Sequence, residues 1–199
     1  MNVLHPSEAI RLVAAVDPHD PFGPRDHALL VFALHTGCRV SELAALTVGM
    51  VAVDGAPRQT LFLPASMTKG ARSRAIPLNQ AARQAVAQLI DFNRRRGFPT
   101  GLSAPLFCNR MHQPMTVRAI QRMVQATREK ARLDVPATPH SLRHSCASSI
   151  LSCTGNLRVV QQILGHRRLN TVEIYSHPTR EDLRQAVELT AEKGVLPCA

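Results

Sequence analysis

A chain of 199 residues that is 45% hydrophobic can bury a real core, which points to one domain, or a domain plus an extension. Its 24 Lys and Arg against 14 Asp and Glu give a formal charge of +10, which suits a polyanionic partner such as nucleic acid or, on charge alone, an ordinary basic surface. No run of about 18 apolar residues occurs, and MNVLHPSEAIRL lacks the charged start and apolar core of a signal peptide, so a cytoplasmic, nucleoid-associated protein is expected. Five cysteines, odd in number and without a CxxC pair, speak against a disulfide framework or a thiolate zinc site.

Ser7 is expected to cap a first helix reaching about Val16, after which DPHDPFGP forms a Pro-rich connection. RDHALLVFALHTG reads as a buried helix stopped at Gly37. In CRVSELAAL, Ser41 can cap another helix with Leu43, Leu46 and Val48 inward, which leaves Arg39 at a helix junction. RQTLFLP and RSRAIPL flank the polar, Gly-containing ASMTKGA and predict two antiparallel strands joined by a hairpin, with Lys69 near its tip. Asn79 begins a long helix closed by Gly97, and another runs from Thr116 through VRAIQRMVQATREKARL. These elements define a mainly α fold with a small antiparallel β-hairpin or sheet, of the α+β class.

The stretch from Thr138 to Tyr175 carries the chemistry. Thr138 and Pro139 suit the N-cap and first position of a helix running to Thr154 and Gly155, with His140 and Arg143 on one face of its first turn, where free N–H groups favour a phosphate. Leu142, Cys146, Ile150 and Leu151 are expected on its buried side. Asn156 can cap a second helix with an apolar stripe of Val160, Ile163 and Leu164, ended by Gly165 in the left-handed conformation, and His166 follows on a turn. Asn170 and Glu173 read as the capping box of a short helix bearing Tyr175, the only tyrosine in the chain. REDLRQAVELTAEKG then forms a last helix with Leu183, Ala186 and Val187 on one face, interrupted by Thr190.

HTGCRVSELAAL, the lysine of MTKGARSRAIPL, TPHSLRHSCA and LGHRRLNTVEIY, in this order and ending on the sole tyrosine, resemble the tyrosine recombinase, or phage integrase, catalytic domain over roughly residues 5 to 180. The resemblance implies that catalytic-domain fold over residues 1–179, with 180–199 as a C-terminal helix and tail that packs on its own domain or docks on a neighbouring protomer. It implies Arg39 and Arg143 as the arginine pair, Lys69 as the hairpin lysine, His140 and His166 as the histidines and Tyr175 as the nucleophile. It also implies double-stranded DNA as substrate, a homotetramer on two synapsed sites, and no metal, ATP or other cofactor. The pattern begins within about ten residues of Met1, so the helical core-binding domain of most members is expected to be absent, as in the fimbrial phase-variation invertases, or the chain to be a remnant of a longer gene. Cooperative assembly or an accessory DNA-bending protein can compensate for such a one-sided grip on DNA.

The residue types fit phosphodiester transfer whatever the family. A tyrosine of pKa about 10 is phenolate in on the order of one molecule in a thousand at neutral pH, so its proton needs an acceptor, a role His140 can assist. Two arginines stabilise the negative charge that develops on the non-bridging oxygens. Lys69 can protonate the departing 5′-oxygen, and His166 can donate to the phosphoryl group. Each residue also has a duller use: Arg39 pairing with Glu42, Arg72 or Arg74 replacing Lys69 at the phosphate, His166 capping a helix, Tyr175 packing. His140 and His144 have zinc-pair spacing, but Ser141 stands where a metalloprotease needs glutamate. Glu42 and His144 are expected to orient the two arginines. A DNA-binding remnant without catalysis and a metal-dependent hydrolase are the alternative functions.

Overall fold

The computed structural model describes residues 3–68, 72–165, 180–192 and 194. In chain order, α1 spans Pro6–Ala14, α2 Gly23–Thr36, α3 Val40–Ala45 and α4 Val48–Val51. Strands β1 (Ala52–Val53) and β2 (Ala56–Pro57) form a minimal antiparallel pair, and β3 (Thr60–Leu63) and β4 (Arg74–Pro77) a second. Helices α5 (Gln80–Arg95), α6 (Val117–Lys130), α7 (Pro139–Thr154), α8 (Leu157–Leu164) and α9 (Arg180–Glu192) complete the described chain. The mainly α architecture with small antiparallel sheets is the one read from the sequence. The β1–β2 pair was not anticipated, because four residues around Asp54-Gly55 carry too little pattern to distinguish a hairpin from a loop.

The organising element is α2, whose residues from Ala28 to Thr36 are all buried. It packs chiefly on α5 and α7, and Phe32 meets Phe107 edge to face at 6.3 Å between ring centroids. One contiguous cluster of apolar side chains runs from Leu4 to Val187, as a single core requires.

Helix boundaries follow their caps. Asn79, Thr116, Thr138 and Asn156 accept hydrogen bonds from first-turn N–H groups of α5, α6, α7 and α8, and Gly155 and Gly165 end α7 and α8 in the left-handed conformation. Two caps differ from expectation. The α1 cap is His5, not Ser7, because Pro6 takes the first helical position and Glu8 closes a capping box on the His5 N–H. The α3 cap is Arg39, not Ser41, because Glu42 closes the box on the Arg39 N–H.

Three side-chain placements also differ. Leu151 is 38% exposed, while Leu142, Cys146 and Ile150 are buried as expected. Val159 joins the α8 stripe of Val160, Ile163 and Leu164. Thr190 continues the apolar face of α9 instead of interrupting it: its hydroxyl donates to the Val187 carbonyl at 2.8 Å, so it is buried without an unmet hydrogen bond.

Helix α9 lies on its own chain, against α7, α8, α5 and β4, with Leu183, Ala186 and Val187 buried. Asn79 fastens it. The Oδ1 of Asn79 caps α5, while its Nδ2 lies 2.9 Å from His35 Nδ1 and donates to the Val187 carbonyl at 3.0 Å. Cys38, Cys108, Cys146 and Cys153 are free thiols, and the first three are buried in the packing. No helix among the described residues is long and apolar enough to cross a membrane.

Candidate active site

The candidate site forms where α2 ends. Gly37 turns the chain with φ of 60°, and a Cβ there would lie 2.5 Å from the Leu164 side chain and 3.2 Å from Cys146 Sγ. Glycine is therefore required both by conformation and by space. The turn aims the Gly37 carbonyl at Arg143, whose Nη1 donates to it, while Arg143 Nη2 donates to the Leu164 carbonyl at 2.7 Å. Both acceptors stand at helix C-termini, of α2 and α8, where the dipole favours a cation. Arg143 is 5% exposed. Burial first, and then the like charges of Arg39 and Arg74, push its guanidinium down to about 10, so it remains charged at neutral pH in a cluster that a bound anion would relieve.

Arg39 stands two residues beyond Gly37 as the N-cap of α3. Glu42, fully buried, accepts from the Arg39 backbone N–H at 2.7 Å and from its Nη1 at 2.9 Å. Arg74 of β4 completes the shell, with Nη1 and Nη2 donating to the two Glu42 oxygens at 3.0 and 2.7 Å. Burial pushes the Glu42 carboxyl up, but the Arg39 N–H and the Arg74 charge outweigh it and hold the group below the ordinary carboxylate value. The expectation that Glu42 orients an arginine is met at Arg39.

The expectation for His144 is not. The elements orienting Arg143 are main-chain carbonyls, and His144 instead meets His140, Nε2 to Nε2 at 2.8 Å, with the rings edge to face. The His144 pKa is lowered by burial and then by His140 and Arg143, which favours a neutral ring able to accept a hydrogen bond from its neighbour. His140 itself is exposed at the first turn of α7. No group of three potential metal-ligating side chains occurs among the described residues.

Arg39 and Arg143 are thus brought to one corner of the fold, with His140 three residues before Arg143 on α7, while Lys69, His166 and Tyr175 lie outside the described residues. On either side of the Lys69 segment, Thr68 and Arg72 clasp each other: the Thr68 hydroxyl donates to the Arg72 carbonyl at 2.7 Å and accepts from its N–H at 3.2 Å. Of the two arginines weighed against Lys69 for the phosphate, Arg72 is exposed and Arg74 is committed to Glu42. Arg74 is the residue that sequence reasoning underused. Strand alternation was the available signal, since a residue two before the buried Ile76 must face the same way. Cys38 and Cys146 flank the arginines, and burial pushes their thiols up to about 11 and about 12, which keeps both protonated.

This fold, with its corner of buried guanidiniums, defines the class: residues 2–182 match the Phage integrase family, and the chain belongs to it. Two curated relatives are tyrosine recombinase XerD of Halalkalibacterium halodurans, 31% identical over 89% of this chain and 57% of its own, and tyrosine recombinase XerC of Pelotomaculum thermopropionicum, 34% identical over 92% and 59%. The crystal structure of XerA recombinase superposes with a TM-score of 0.71 at 28% identity, covering 93% of this chain and 63% of that one. The chain therefore spans about three fifths of the length of the curated relatives it matches.

Proposed function

We propose that this chain is the catalytic domain of a site-specific DNA recombinase that cleaves and rejoins strands through a 3′-phosphotyrosyl link. The observation that carries the reading is the pair of held guanidiniums, Arg39 and Arg143, at one corner of a fold belonging to this family. A phosphodiester between them would meet rigid, charged donors aimed at the oxygens on which negative charge grows, and no metal is needed for that stabilisation. Tyr175 attacks phosphorus through its hydroxyl oxygen, the bond to the 5′-oxygen breaks, and Lys69 supplies the proton that the departing alkoxide takes. His140, backed by His144, assists removal of the tyrosine proton, and His166 donates to a phosphoryl oxygen. The link conserves the phosphodiester bond, so a 5′-hydroxyl from another strand reverses the step without ATP.

Along α6, the exposed Arg118, Gln121, Arg122 and Gln125 recur at helical spacing on one face, which suits contact with phosphates and base edges. Strand exchange needs two sites held together, hence four protomers.

The reading is tested by denaturing capture of DNA covalently attached to the tagged chain in cells, with Tyr175→Phe as control and sequencing of what is trapped. A common sequence recovered with the native chain alone is the expected result. Equal DNA binding with nothing trapped by either protein would instead support a binding-only role.

A further inference from the structure

We propose that Arg74 is a positioning residue of this site: by saturating the Glu42 carboxylate, it leaves Arg39 tied through a single guanidinium nitrogen and able to present its remaining donors to a phosphate. The inference rests on reading Arg39 and Arg143 as the anion-binding pair.

Arg74 begins β4, paired in register with Leu63, and alternation with Ile76 turns it inward, leaving it 8% exposed. Both of its Nη atoms go to Glu42. Its Nε is buried with no hydrogen-bond partner among the described residues. A buried ion pair is a poor device for stability alone, since well-packed apolar side chains often do as well, and an unpaired guanidinium nitrogen makes it poorer still. What the pair does achieve is division of labour at Glu42. Among the described residues, the Arg39 guanidinium is bonded only through Nη1, to an oxygen that it shares with Arg74 Nη1.

Without Arg74, a buried carboxylate would have one guanidinium left to neutralise it, and Arg39 would be drawn fully onto Glu42, away from any ligand. Arg74 also abuts the turn that positions Arg143. A Cβ on Gly165 would lie 3.0 Å from Arg74 Cδ and 3.2 Å from its Nη1, one residue beyond the Leu164 carbonyl that holds Arg143. Three guanidiniums against one carboxylate leave the corner doubly positive, which suits a phosphodiester gaining a second negative charge during displacement.

The test uses inorganic sulfate, a tetrahedral dianion, as probe, and follows thermal unfolding of the purified full chain against sulfate concentration. The wild type should show a saturable stabilisation that Arg39→Gln loses. Arg74→Gln should raise half-saturation by at least about tenfold. Arg74→Lys, which keeps the charge but not the two-pronged contact, should fall between them. The double variant Arg74→Gln with Glu42→Gln should recover most of the response, because no unbalanced carboxylate then competes for Arg39. It also carries the test if Arg74→Gln alone does not fold.

A wild-type sulfate response in Arg74→Gln, no saturable response in the wild type, or a double variant that does not recover the response would overturn the proposal. The recombinase reading fails separately. If the sulfate pattern appears as stated while no DNA is captured through Tyr175, Arg74 keeps its role and the recombinase reading falls.

Discussion

Arg143 owes its place to main chain: two carbonyls at helix ends take its two Nη atoms. A lysine keeps the charge but cannot span both acceptors, so Arg143→Lys should lower the rate of covalent DNA capture by about a hundredfold or more while leaving equilibrium DNA binding within a few fold. Parallel adduct-formation and binding assays check this. Glu42 gives a pH signature. Its folded pKa is depressed below the ordinary 4.5, so its contribution to stability is present above that value and lost as pH falls through the folded pKa. Denaturant unfolding at a series of pH values should show the wild type losing stability below about pH 4.5 more steeply than Glu42→Gln; equal acid slopes would contradict the assignment. At this scale Arg39, His140 and Arg143 were legible because their motifs are local. Arg74 was not, because a charged residue near a hairpin reads as solvated and its partner lies 32 residues away.

The elements hold the site through two junctions. At the first, Gly37 must be left-handed and must leave room for Leu164 and Cys146, so Gly37→Ala should cost about 1–3 kcal/mol from backbone strain alone, with the overlap adding to it. Urea denaturation reads this, and the same variant should lose DNA capture because the Gly37 carbonyl moves away from Arg143. At the second, Asn79 joins α2, α5 and α9 through one amide, so Asn79→Ala should cost about 1–3 kcal/mol and speed hydrogen exchange in α9 more than in α2. Most helices were legible because their caps are local signals, as Thr138 and Gly155 are for α7. His5 and Arg39 were missed as caps because propensity favours the nearby serines, while the glutamates at the third helical position, Glu8 and Glu42, fix the true start two residues earlier.

Across the whole molecule, a charge of +10 and the exposed arginines of α6 make binding to a polyanion sensitive to salt. Changing Arg118 and Arg122 together to Gln should reduce the slope of log affinity against log salt by about one for each phosphate that either arginine neutralises. Fluorescence anisotropy with duplex DNA at several salt concentrations measures that slope. The overall class was legible because four motifs occur in a fixed order. Where a bound duplex would run over the surface was not, since base readout depends on side chains meeting a groove. Tyrosine-linked phosphodiester exchange at the Arg39–Arg143 corner can be read out on purified protein. The chain is incubated with chelator and a nicked duplex carrying the captured sequence, and any adduct is digested and located by mass spectrometry. The expected adduct is a 3′-phosphate on Tyr175, absent from Tyr175→Phe and strongly reduced in Arg143→Lys. An adduct on another residue, or cleavage that the chelator abolishes, would contradict it.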